Sequence, residues 1–131
     1  MITFTVQTRG RSEMIDITAE VQAAVRGAGV AEGICYVFVP HTTAAVTVNE
    51  NADPAVPRDI LDQLERLVPW RGPYSHAEGN AAAHIKASLL GACATVSVRG
   101  GRLALGTWQA IFFCEFDGPR RREVQVQVVA G

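Results

Sequence analysis

Three histidines are the side chains in this sequence best suited to chemistry, and all three stand at element boundaries or in polar surroundings. His41 follows Pro40 at the end of an apolar run and opens His41–Thr42–Thr43. His76 lies in Tyr74–Ser75–His76–Ala77–Glu78, and His84 lies in an alanine-rich segment with Asn80 before it. On a helix, the i–4 spacing puts Asn80 and His84 on one face. One imidazole from a strand end, one from a loop and one from a helix can converge on a small guest, as metal and phosphate sites require. Neutral imidazoles hold a transition metal, whereas protonated ones pair with phosphate or serve as general acids. The ordinary reading of each histidine taken singly is a surface or hydrogen-bonded core residue.

Two polar clusters accompany them. Asn49–Glu50–Asn51–Ala52–Asp53–Pro54 falls at a strand-to-helix junction. Such a junction offers free backbone N–H groups and side-chain oxygens to a phosphate or hydrated metal. Helix capping accounts for Asp53 but leaves Asn49 and Glu50 unexplained. Glu115–Phe116–Asp117–Gly118–Pro119–Arg120 reads as a turn, yet Glu115 ends an apolar strand, and a buried carboxylate there demands a partner. Arg121 and Arg122 read as guards on a strand edge, with Arg120 open to either a structural or an anion-binding role. Trp108 shares the alternation of Ala110, Phe112, Cys114 and Phe116 and is expected in the core. No Walker loop, Rossmann glycine fingerprint, HExxH or GxSxG is present.

The elements that must position these residues follow from periodicity. Ile2–Thr8 alternates as a half-buried strand, and Glu13–Ile17 forms a second. Thr18 is placed to cap a helix with Val21, Ala24, Val25 and Ala28 on one face and Gly29 as its stop. Gly33–Val39 is a central strand ended by Pro40, and Thr43–Asn49 alternates again. Asp53 and Pro54 start a helix carrying Val56, Ile60, Leu64 and Leu67. A third helix is expected from about Gly79 to Leu90, followed by strands at Cys93–Val98, Arg102–Leu105, Thr107–Phe116 and Arg122–Val129. In the last of these, Val124, Val126 and Val128 face one way. Glu123, Gln125 and Gln127 face the other, toward solvent or another subunit. The expected fold is α+β: a compact single domain over residues 1–131, mostly antiparallel β-sheet with about three helices.

Composition narrows the function. The 131 residues suffice for one domain, and 48% hydrophobic with 19% charged content is that of an ordinary globular chain. A net charge of −1 argues against non-specific nucleic-acid binding. Lys86 is the sole lysine beside eleven arginines, so an anion handled here is held at a defined place rather than by diffuse attraction. The longest apolar stretch, Ile34–Val39, is too short for a membrane span, and Met1–Arg11 lacks the pattern of a secretory leader. Cys35, Cys93 and Cys114, widely spaced in apolar runs, read as reduced, buried thiols in a cytoplasmic setting.

His41–Thr42–Thr43–Ala44–Ala45, Asn49–Glu50, Asp53–Pro54, His76, Glu78–Gly79–Asn80–Ala81 and Ala83–His84 occur in that order. Gly106–Thr107–Trp108–Gln109 and Glu115–Phe116–Asp117–Gly118–Pro119–Arg120 follow. This succession resembles the YjbQ-like family over nearly the whole chain, with the region before about Gly33 least diagnostic. The resemblance implies an α+β homotrimer with a polar, histidine-lined pocket that takes a metal or an anion. The family carries the label secondary thiamine-phosphate synthase, a weak activity that joins a pyrimidine pyrophosphate to a thiazole phosphate and releases pyrophosphate.

The resulting expectation is an enzyme acting on small phosphorylated metabolites. His84, His76, Asn80 and Asp53 are its candidate catalytic residues, and Thr42, Thr43, Asn49, Glu50 and Arg120 its candidate substrate-binding residues. His41, His76 and His84 would hold a divalent metal, with zinc favoured over magnesium because the donors are imidazoles. The alternative is a non-catalytic homotrimer that binds a metal or metabolite through the same histidines. Neither reading calls for a nucleic-acid or membrane partner.

Overall fold

The computed structural model describes residues 1–131 in three layers: two antiparallel sheets stacked face to face, and a pair of helices on the second sheet. The strands are β1 (Ile2–Gln7), β2 (Glu13–Asp16), β3 (Glu32–Phe38), β4 (Ala44–Glu50), β5 (Cys93–Arg99), β6 (Arg102–Leu103), β7 (Gln109–Glu115) and β8 (Arg121–Ala130). The helices are α1 (Thr18–Ala28), α2 (Ala55–Leu67) and α3 (Ala81–Leu90). One sheet has the order β1-β8-β3-β5-β6 and the other β2-β7-β4, so the strands divide between two sheets instead of forming one.

Side-chain alternation builds the main core between the sheets. Val37, Val96, Val98, Val124 and Val126 point inward from the five-stranded sheet and meet Ala44, Val46, Ile111 and Phe113 of the three-stranded one. Val21 and Val25 of α1 close one end of this core. The other face of β7 carries Ala110, Phe112 and Cys114, which pack beneath Ala83 and Ala87 of α3 together with Leu61 and Leu64 of α2. β7 is thus buried on both faces, which explains its unbroken apolar run. Each fully buried Phe or Val here stabilises the fold by about 1.5–3 kcal/mol relative to exposure. Gly33 is required where β3 passes β8: a Cβ there would stand 2.1 Å from the Val129 carbonyl oxygen.

Several local expectations change. Thr18 does not cap α1. Asp16 Oδ1 accepts the Thr18 N–H at 2.9 Å, and Thr18 Oγ1 instead accepts the Ile111 N–H of β7 at 2.9 Å. Asp53 supports the start of α2 from one position further out, its Oδ1 accepting the Ala55 N–H at 2.9 Å. Trp108 is 65% exposed, because it lies in the turn before β7, where strand alternation does not hold. Cys93 is exposed, sharing the outward parity of Thr95 and Ser97, while Cys35 and Cys114 are buried. Burial pushes the two buried thiols up to about 11 and about 12, which keeps them protonated and inert.

Lys86 is buried at 2% exposure and is met by Glu65 of α2 at 2.5 Å. Glu65 also pairs with Arg11, whose guanidinium lies over the Trp70 ring at 4.5 Å. This chain of contacts ties α2, α3 and the β1–β2 loop together.

Candidate functional site

β3 ends against β5, with the Val39 N–H bound to the Ala92 carbonyl at 2.8 Å. Pro40–Thr43 then turns the chain from the first sheet to the second. This turn is fixed from beneath by a buried polar network. Glu115 is 0% exposed, and the sequence rule that a sealed carboxylate needs a partner is met by Arg122. Arg122 Nε donates to Glu115 Oε1 at 2.8 Å and Nη2 donates to Oε2 at 2.5 Å. The same Nη2 donates to Thr43 Oγ1 at 2.8 Å, anchoring the histidine turn. Thr8 Oγ1 donates to Glu115 at 2.9 Å, and the Asp117 N–H does so at 2.9 Å. Burial alone would raise the Glu115 carboxyl, but Arg122, the Asp117 N–H and Thr8 together hold it below the usual carboxylate value. Arg122 is therefore not an edge guard: at 2% exposure it is the buried cation of the site, whereas Arg121 is exposed as expected.

Gly118 permits this packing. A Cβ there would lie 2.4 Å from the Gly10 carbonyl oxygen and 2.8 Å from both Glu115 Cγ and Thr8 Oγ1. The adjoining Asp117 binds Arg120 through Nη2 at 3.0 Å and Asn80 Nδ2 at 2.9 Å. The 115–120 turn is thereby joined to the start of α3. Asn80 Oδ1 is buried without a partner, an open acceptor at that junction.

His41 Nε2 accepts the Glu123 N–H at 2.9 Å, which leaves Nδ1 as the protonated nitrogen of the neutral ring. Partial burial first, and the Arg122 charge second, lower its pKa from the ordinary 6.5. His41 and Thr42 stand where two clefts meet. One, of about 500 Å3, also holds Thr43, Arg120 and Arg122. The other, of about 460 Å3, runs to His84 and Ser88 on α3. The His84 ring in turn meets His76 edge-on, with centroids 5.2 Å apart.

The structure thus gathers His41, Thr42, Thr43, His76, Asn80, His84 and Arg120 into one region. Asn49, Glu50 and Asp53 lie elsewhere. They sit at the far end of β4, about 20 Å along a strand of seven residues rising about 3.3 Å each. There the Glu50 N–H bonds to Asn49 Oδ1 at 2.7 Å, and Asn51 bonds to Asp16. Within one chain these residues do not reach the histidine clefts.

Zinc takes at least three protein donors. No three His, Cys, Asp or Glu side chains converge within the chain, and the His41 Nε2 lone pair is committed to the backbone. His76 and His84 form a pair of imidazoles, and a Glu78 carboxylate oxygen lies 3.9 Å from His76 Nε2.

Comparisons with known proteins identify the family of the chain. The family model described as UPF0047 protein YjbQ-like matches residues 2–131. The chain belongs to the YjbQ-like UPF0047 family. A UPF0047 protein of Methanocaldococcus jannaschii is 48% identical, covering 96% of this chain and 91% of its own. YugU of Bacillus subtilis, also a UPF0047 protein, is 48% identical, covering 97% of each chain. Among solved structures, a YjbQ/UPF0047 family protein of Clostridium acetobutylicum superposes with a TM-score of 0.97 at 50% identity, covering 98% of this chain and 100% of that one. A protein of Aeropyrum pernix superposes with a TM-score of 0.94 at 41% identity, covering 98% and 97%. The three-layer arrangement with mostly antiparallel sheets is therefore that of the family. No helix is long and apolar enough to cross a membrane.

Proposed function

We propose that this chain binds small phosphorylated metabolites in the clefts that meet at His41–Thr42 and acts on them as a transferase of the secondary thiamine-phosphate synthase type. The observation that supports this reading is the meeting of Thr42, Thr43 and Arg120 on one side of His41 with His84 on the other. His41 offers Nδ1–H as a donor to phosphoryl oxygens, Thr42 offers a hydroxyl, and Arg120 a guanidinium. His84, on the opposite wall, is the group to hold a proton for a departing pyrophosphate oxygen. Both arginines of the cleft are already matched by carboxylates, Arg122 by Glu115 and Arg120 by Asp117. The net pull on a diphosphate is correspondingly modest, which suits weak turnover.

The test is pyrophosphate release from a pyrimidine pyrophosphate and a thiazole phosphate by purified protein. His84→Ala is expected to abolish turnover while the oligomeric state persists, and a rate equal to the parent's would remove His84 from the mechanism.

The His76–His84 contact favours a second reading, a non-catalytic homotrimer in which these two imidazoles bind zinc and a neighbouring subunit supplies further donors. Self-association is supported by the outer face of the five-stranded sheet, where Ile34, Tyr36 and Phe38 of its middle strand β3 are each at least 40% exposed. Elemental analysis of untagged protein separates the readings: stoichiometric zinc favours the second, and bound phosphate without metal the first.

A further inference from the structure

At the opposite end of β3 and β5 from the histidine clefts, the chain builds a second basic corner that the proposed reaction does not use. A groove of about 700 Å3 opens between the C-terminal turn of α1 and the β5–β6 hairpin, with Arg26 and Arg102 in its walls. Arg99 and Arg102 are direct cross-strand partners on that hairpin, and of the two Arg102 lines the groove. Like charges directly opposite each other destabilise a strand pair, and an anion between them removes that cost. Neither these two nor Arg26 takes part in any ion pair of the chain. Glu32 faces Arg99 across the sheet, but its Oε1 accepts the Gly100 N–H at 3.3 Å.

The corner is also held in shape. Gln22 of α1 grips the hairpin from both sides, donating to the Gly101 carbonyl at 3.2 Å and accepting the Leu103 N–H at 3.0 Å. The Gly101 N–H bonds to the Ala31 carbonyl at 3.0 Å. Gly29, Gly100 and Gly101 adopt positive φ, and a Cβ at any of them would meet open space. The groove wall is therefore bare backbone at these points, free for a ligand to approach closely.

We propose that Arg26 and Arg102, with Arg99 beside them, form an anion site for the phosphoryl group of a small phosphate ester, separate from the histidine clefts. Arginine suits this role because its planar fork binds phosphate oxygens in pairs. The site stands on its own geometry and does not depend on the transferase reading.

The test uses the full chain, 15N-labelled, titrated with inorganic phosphate at constant ionic strength set by chloride. The Gly29, Gly100 and Gly101 amide signals are expected to shift along saturating curves. Arg26→Gln and Arg102→Gln are each expected to weaken the apparent Kd by about ten-fold or more, the scale of one lost charge-assisted hydrogen bond. Both replacements are at exposed positions, so the unchanged remainder of the amide spectrum will report an intact fold. Absence of saturation, equal shifts with chloride alone, or unaltered affinity in both variants would each overturn the proposal.

Discussion

Arg122 and Glu115 form a two-point ion pair, Nε to Oε1 at 2.8 Å and Nη2 to Oε2 at 2.5 Å, with both side chains sealed from water. The same guanidinium holds Thr43, so the pair joins the stability of the fold to the shape of the histidine turn. Removing one partner leaves the other charge buried alone. Arg122→Met is expected to cost about 3–5 kcal/mol, read as a lowered midpoint in urea unfolding. A loss under about 1 kcal/mol would show that the network is not sealed.

The Glu115 carboxyl titrates below its unfolded value of about 4.5, so its contribution to stability is present above that pH and lost as pH falls through the lower folded value. Unfolding free energy is expected to decline as the solution is acidified below about 4.5, and the Glu115→Gln variant, though less stable at neutral pH, is expected to show a shallower decline there. Parallel slopes for the two proteins would contradict the assignment.

His41 has the same sign for a different reason. Its folded pKa lies below 6.5, so the folded form resists protonation, and stability present above 6.5 is lost as pH falls through the folded value. A protonated Nε2 cannot accept the Glu123 N–H. In an NMR pH series, the His41 ring and the Glu123 amide are expected to share one midpoint below 6.5. A midpoint above 6.5, or a Glu123 amide indifferent to it, would contradict the hydrogen bond.

Lys86 and Glu65 should respond asymmetrically. Lys86 is 2% exposed, whereas the Glu65 side chain is 42% exposed and can return to water. Lys86→Met is expected to change stability by less than about 1 kcal/mol, while Glu65→Gln strands a buried ammonium and costs about 1–3 kcal/mol. Thermal unfolding of the two variants checks the order, and a larger loss for Lys86→Met would reverse it.

Much of this molecule is legible in the sequence because strand parity is a local property. Val124, Val126 and Val128 all face the main core, and the boundary positions of the histidines do bring His76 and His84 together. Arg122 was legible too, since it shares the parity of Val124; the adjacent Arg121 and Arg120 concealed it in what looked like a solvent-facing run. Trp108 shows the limit of the same rule, which fails one residue outside the strand. The division into two sheets was not legible, because β7 pairs with strands 59 or more positions away, and local alternation carries no record of which strands meet. The separation of Asn49, Glu50 and Asp53 from the histidines has a similar origin. Proximity in sequence suggested one site, but an extended β4 carries these residues to its opposite end.

The account rests most heavily on phosphoryl binding at His41–Thr42. Titration of 15N-labelled protein with inorganic pyrophosphate tests it directly. The account predicts saturable shifts of the His41, Thr42 and Thr43 amides that are weakened by Arg120→Gln. Amides that stay unmoved while Gly100 and Gly101 respond would contradict it.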